Sequence, residues 1–238
     1  MATKKTAASS ALSIVVLLVI AVLKFCTKEQ PATSNTRAVS PKIEQESPSK
    51  VTAESPKKSP PATQQKNGGT IYQNCRLVDH HNNDGDSFRV SLPDGKVQEF
   101  RLYFVDTPES TFKRYSDGNT NAERISQQAR YFGNITPEAA TALGKEAKEF
   151  TLGLLKKNAF TLSTKNEDVY ESGRYYCHVK LTYEGKERWL DEILVSKGYV
   201  RIITQPADLP DGTLADAHKS LLRTMETEAK KRKVGAWK

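Results

Sequence analysis

The chain has 238 residues, with 36 Lys+Arg against 28 Asp+Glu and a formal net charge of +8. Residues 1–66 hold ten basic and four acidic residues, and the remainder holds 26 and 24. The basic excess therefore belongs to the N-terminal part, and it is excluded as evidence that a folded part binds nucleic acid. The length allows one domain or two.

Ala7 to Leu23 is apolar apart from Ser9, Ser10 and Ser13, with Lys4 and Lys5 before it and Lys24 after it. About 17 such residues just suffice to span a bilayer. No small-x-small cleavage site follows closely, and Leu23-Lys24-Phe25-Cys26 is a poor lipobox. Residues 1–27 are read as a membrane anchor, with a cleaved signal segment as the alternative. Residues 28–68 are rich in Pro, Ser, Thr, Lys, Glu and Gln without apolar periodicity, and read as a disordered tether. Residues 69–238 read as the folded domain. Among the three cysteines, Cys75 and Cys177 share parity with apolar strand neighbours and read as core thiols, with a disulfide between them left open.

Thr70 to Val78 reads as a first strand. Phe88, Val90 and Leu92 alternate with Arg89 and Ser91, Pro93-Asp94-Gly95 is turn chemistry, and Phe100, Leu102 and Phe104 alternate on the return through Val105. This hairpin brings Asp86 beside Asp106, and parity points Asp86 towards the covered side. Converging carboxylates repel unless a cation sits between them, and hard oxygen ligands favour Ca²⁺ or Mg²⁺. Glu109 follows Pro108 near the same point, and Arg101 lies between the acids. A dication, a spare carboxylate and an arginine suit attack on a phosphodiester. An EF-hand loop with Gly85 sixth fails, because its first and twelfth residues are His80 and Ser91. His80-His81 lacks partners at zinc spacing and reads as a solvated loop.

Residues 110–140 form a long polar segment with a helix around Glu123 to Tyr131. Leu143, Ala147, Phe150 and Leu154 mark the apolar face of a second helix. Ala159 to Ser163 is a short strand. Tyr175 to Tyr183 alternates, with Tyr176, His178, Lys180 and Thr182 on the polar side. Trp189 to Lys197 is a helix stopped by Gly198, and Tyr199 to Ile203 is a strand. Leu214, Ala217, Leu221, Met225 and Ala229 face inward from a last helix that ends in Lys230-Lys231-Arg232-Lys233. That run reads either as a nucleic-acid contact or as a solvated helix end.

Asp84-Gly85-Asp86-Ser87-Phe88, the run from Arg101-Leu102 to Val105-Asp106-Thr107-Pro108-Glu109, and Gly173-Arg174 together resemble the staphylococcal nuclease family, over about Gly69 to Lys238. The resemblance implies an α+β fold: a small OB-type, five-stranded Greek-key barrel with about three packed helices. It implies Ca²⁺ held by the Asp86 and Asp106 carboxylates and the Thr107 carbonyl, with Asp84 farther out. It implies Glu109 as general base and Arg101 and Arg174 on the scissile phosphate, in a DNA- and RNA-cleaving endonuclease that leaves 3′-phosphates. Family members are often exported, so the domain is placed outside the cytoplasm, periplasmic or extracellular. No protein partner is expected.

The sequence departs from the family at Ser172-Gly173-Arg174, where a tyrosine usually precedes the glycine, and at Thr204, where an aromatic is usual. Tyr175, Tyr170 and Tyr176 are candidates to replace the missing substrate contact. Two other classes compete: a non-catalytic OB module binding nucleic acid or an envelope partner, and a structural envelope protein. The coexistence of Arg101, Glu109, Arg174 and both aspartates favours the enzyme.

Overall fold

Among the described residues the first element is a strand that starts at Thr63. The computed structural model describes residues 63–66 and 68–238. The apolar segment 7–23 and most of the tether lie outside the described residues. Strand β1 (Thr63–Lys66) pairs antiparallel with the start of β2 (Gly69–Leu77). A polar Thr-Gln-Gln-Lys strand gives no apolar alternation, yet ladder pairing needs only backbone groups, so composition could not reveal it.

Strand β3 (Ser87–Ser91) returns as β4 (Val97–Leu102) with Ser87 opposite Arg101 and Phe88 opposite Phe100. The turn closes through Leu92 N–H to the Lys96 carbonyl at 2.8 Å, with Gly95 at φ +83°. The expected continuation to Val105 does not form. Phe104 adopts φ +63°, a left-handed conformation uncommon for a bulky residue. This bend turns β5 (Val105–Asp106) out of the ladder to pair with β9 (Arg201–Ile202). The expected strand Tyr199–Ile203 is thereby reduced to two residues.

Strands β6 (Phe160–Thr164) and β7 (Tyr175–Tyr183) complete the barrel. β2 pairs β3, β3 pairs β4, β4 runs parallel to β7, β7 pairs β6, and β6 returns to β2. Closure removes the open edges of a five-stranded sheet. β8 (Lys186–Trp189) adds to β7 outside the closed path. The barrel is filled by Phe88, Val90, Phe100, Leu102, Leu162, Val179 and Leu181, all buried. Cys75 and Cys177 are buried free thiols, so no disulfide joins them.

Among the described residues four α-helices pack around this barrel: α1 (Ala122–Tyr131), α2 (Pro137–Lys157), α3 (Leu190–Ser196) and α4 (Ala215–Lys231). The resemblance implies about three; the additional one is α1, the helix expected around Glu123 to Tyr131. Its Ile125 and Ala129 pack on Ala140 of α2, and Phe132 beyond it meets Trp237. In α2 the expected Leu143 and Ala147 are buried and Phe150 and Leu154 pack against the core, with Ala140, Gly144, Thr151 and Leu155 widening the buried face. In α4 the inward face is displaced by about one residue, to His218, Leu222 and Glu226, with Ala229 buried as expected. Leu214 and Leu221 stay exposed. A polar residue satisfied by a partner can take a buried position, and apolar lettering hides this. His218 Nε2 lies 2.7 Å from Asp191 Oδ2, and Tyr131 donates to Glu226 Oε1 at 2.5 Å. Tyr176 and His178, expected on a polar face, are buried as well. In the basic run that closes α4, Lys230 bonds Glu226 and Lys231 bonds Glu228. Among the described residues no helix is long and apolar enough to cross a membrane.

Candidate active site

The β3–β4 register sets the site. Asp86 precedes β3, and its carbonyl accepts from Leu102 N–H at 2.9 Å. Asp106 arrives on β5 after the Phe104 bend. A Cβ on Gly85 would meet Thr107 Cγ2 at 2.7 Å, so glycine there permits the loop before β3 to close on the Asp106–Thr107 step. The Thr107 N–H then donates to Asp86 Oδ2 at 2.9 Å. Glu109 is held from behind by α2, where a Cβ on Gly144 would meet the Glu109 carbonyl oxygen at 2.4 Å and the Pro108 carbonyl oxygen at 2.5 Å.

These residues line one cleft of about 410 Å³. Asp84, Asp86, Arg101, Asp106, Thr107, Glu109 and Arg174, all singled out from sequence, are brought together there. Tyr175 is not among the lining residues; it pairs opposite Phe100 in the barrel. Tyr170 lines the cleft instead, 85% exposed, with Thr204 and Ile203 nearby. Arg174 Nε is oriented by the Ser172 hydroxyl at 3.0 Å and lies 4.0 Å from Glu99 Oε1.

The acids are met by more cations than the sequence reading named. Arg101 Nη2 donates to Asp106 Oδ1 at 2.6 Å and to Asp86 Oδ2 at 3.2 Å. Arg124 Nη2 donates to the same Asp106 Oδ1, and its Nε donates to Glu109 Oε1 at 2.7 Å. Arg201 Nε donates to Asp106 Oδ2 at 2.6 Å. Gln128 donates to Asp106 Oδ2 at 3.2 Å and to the Thr107 carbonyl at 3.0 Å, while its own carbonyl accepts from Glu109 N–H at 2.9 Å. Asn121, at the head of α1, makes no cap bond; its amide instead donates to Glu109 Oε2 at 3.2 Å.

Asn121, Arg124 and Gln128 were missed because residues 110–140 read as a long polar segment, and Arg201 because nothing local in its strand shows that Asp106 lies opposite it. Arg124 and Gln128 stand four apart on one helix, which places them on one face. That spacing was the available signal.

Burial alone would push the Asp106 carboxyl up, but Arg124, Arg201 and Arg101 overcome it and hold the group below the usual carboxylate range. Among the described residues no cation pairs with Asp84. Burial and the neighbouring Asp86 charge push it up to about 6.

The oxygens suit a hard cation in kind. Asp86 and Asp106 already address one charged nitrogen, that of Arg101. The Thr107 carbonyl keeps a second lone pair beside its Gln128 bond. Among the described residues no three His, Cys, Asp or Glu side chains converge as a ready-made metal cluster, so the Thr107 carbonyl and solvent would have to complete any coordination.

A closed five-stranded barrel of mixed pairing, with helices on its outside and an arginine–carboxylate cleft at the end of its central hairpin, defines an OB-type domain built to engage an anionic ligand. The model of the family described as staphylococcal nuclease homologue matches residues 99–238. The chain belongs to this family, whose members carry out nuclease-type hydrolysis of phosphodiesters in nucleic acid. The match starts after Asp84 and Asp86, so those two rest on the geometry described above. No curated protein matches the chain.

Proposed function

We propose that this protein is a calcium-dependent endonuclease acting on DNA and RNA and leaving 3′-phosphates. The supporting observation is the convergence in one cleft of Arg101, Arg174 and Glu109 with the Asp86–Asp106 pair. Arg101 and Arg174 bind the oxygens of the scissile phosphate, where planar guanidinium groups can make two-toothed contacts and spread the charge of the pentacoordinate state. Glu109 has one oxygen on Arg124 and the other on Asn121. Each oxygen keeps a lone pair, so the carboxylate can orient a water and accept its proton as the new P–O bond forms. The bond to the 5′-oxygen breaks, and that oxygen leaves as an alkoxide that takes a proton from solvent to become the 5′-hydroxyl. Asp86, Asp106 and the Thr107 carbonyl would hold calcium, with Asp84 farther out, and the bound ion supplies Lewis-acid stabilisation of phosphoryl charge.

Tyr170, exposed at the rim, takes the place proposed for a substrate-contacting tyrosine. It also lines a neighbouring cleft of about 710 Å³, together with Ile203 and Thr204. That cleft offers room for flanking nucleotides.

The deciding experiment is nicking of supercoiled plasmid by the full chain, with calcium and with a chelator. Nicking that calcium supports and the chelator stops is the expected result. DNA binding without cleavage under any divalent ion would replace the enzyme with a non-catalytic binding module.

We further propose an extracytoplasmic domain tethered to the membrane through residues 7–23. The support is the length and apolarity of that segment. A mature N-terminus mapped beyond Cys26 would instead indicate secretion after cleavage.

A further inference from the structure

We propose that Arg124 is the site's resident counter-cation: a calcium ion reaching Asp106 must displace it, and Arg124 thereby sets how much calcium the enzyme needs. The inference rests on the calcium reading above and concerns a residue that reading does not require.

The reasoning is one of occupancy. A carboxylate offers about four lone-pair positions. At Asp106 they face Arg101, Arg124, Gln128 and Arg201. An ion can bind this carboxylate only if a donor leaves. The Arg101 and Arg201 side chains are 11% and 7% exposed, and releasing either would strand a charge away from water. Gln128 is buried and also holds the Thr107 carbonyl and the Glu109 N–H. Arg124 alone among the four sits at the mouth, with its side chain 40% exposed.

The geometry also provides a route. Arg124 Nε is bonded to Glu109 Oε1 at 2.7 Å, while Nη2 reaches Asp106. A rotation about the Glu109 contact takes Nη2 off Asp106 without breaking the other pair or moving α1. The freed guanidinium end then faces the cleft that Arg101 and Arg174 also line. One side chain would thus neutralise Asp106 before the ion arrives and add a third guanidinium near the phosphate afterwards. Arg124 is accordingly a positioning residue that acts on the ion through Asp106.

The test is calorimetric titration of calcium into the full chain and into Arg124→Gln and Arg124→Lys, with circular dichroism to verify that each is folded. Removing a like charge from the ion's position should tighten calcium binding roughly tenfold or more in Arg124→Gln. Arg124→Lys, which keeps the charge on a shorter reach, should fall between. General damage to the site would weaken binding, so a gain in affinity is specific to competition. Equal or weaker affinity in Arg124→Gln overturns the assignment of Arg124 and leaves calcium dependence standing. No calcium heat in any of the three proteins overturns both readings.

Discussion

Arg201 lies directly opposite Asp106 where β5 pairs with β9, and its Nε donates to Asp106 Oδ2 at 2.6 Å. The pair is buried on both sides. Asp106 is therefore part of the architecture as well as a candidate ligand. Removing one partner of a buried ion pair typically costs about 3–5 kcal/mol, because the other charge is left uncompensated. Asp106→Ala should lose about that much in urea unfolding, measured in chelator so that no cation contributes. A loss below about 1 kcal/mol would contradict the buried network, since exposed pairs are worth no more than that.

Glu109 makes its two side-chain contacts with Arg124 and Asn121 and contributes no bond to the barrel. Glu109→Gln should bind a short single-stranded DNA about as well as wild type while turnover falls on the order of 10²-fold or more, as for loss of a positioned base. Arg101→Lys keeps the charge but loses the fork that spans Asp86, Asp106 and phosphate, so it too should lose much of the rate. Single-turnover cleavage with binding measured separately checks both. Wild-type turnover in Glu109→Gln would remove Glu109 from the mechanism.

Gly144 is the point where α2 meets the Pro108–Glu109 carbonyls. A methyl group there has backbone oxygens 2.4 and 2.5 Å away, and backbone cannot yield as a flexible side chain can. Gly144→Ala should cost about 1–3 kcal/mol of stability through overpacking and should reduce cleavage further by shifting Glu109. Gly153, on the same helix, has open space around it. Gly153→Ala is the control, expected to be neutral or slightly stabilising. Equal behaviour of the two variants would contradict the contact.

His178 is buried among Tyr103, Phe104 and Trp189, and among the described residues its Nε2 finds no hydrogen-bond partner. Burial lowers its pKa from 6.5 to about 4, against the pull of Asp191 and with help from His218 and Lys165. Between those values the unfolded chain binds a proton that the native chain refuses. Stability is therefore lost as pH falls through this window, by about 3 kcal/mol in all. His178→Phe should remove most of that decline in urea midpoints recorded from pH 7 to pH 4. An unchanged decline would assign the acid sensitivity elsewhere. His218 works in the opposite sense. Burial lowers its pKa, but the Asp191 carboxylate outweighs this and raises it, so its contribution is present below 6.5 and fades as pH rises through the raised value.

The local grammar of the central hairpin was legible without coordinates. Alternation from Phe88 to Leu92, the Pro93-Asp94-Gly95 turn and Phe100–Leu102 determine a two-stranded unit with Asp86 and Arg101 at its open end, because strand period and turn chemistry are properties of neighbouring residues. The α1 helix and the stop at Gly198 were likewise local. What only the tertiary structure decided are features that depend on partners far apart in the chain. The left-handed Phe104 takes β5 out of the barrel and sets Asp106 against Arg201, 95 residues away. The fold brings α1 over the cleft, so that Arg124 and Gln128 become part of the site instead of a solvated face. The inward face of α4 moved by a residue because His218 and Glu226 are buried against partners on other elements. Apolar periodicity records which residues avoid water; it cannot record which polar residues will find a partner once the chain has closed.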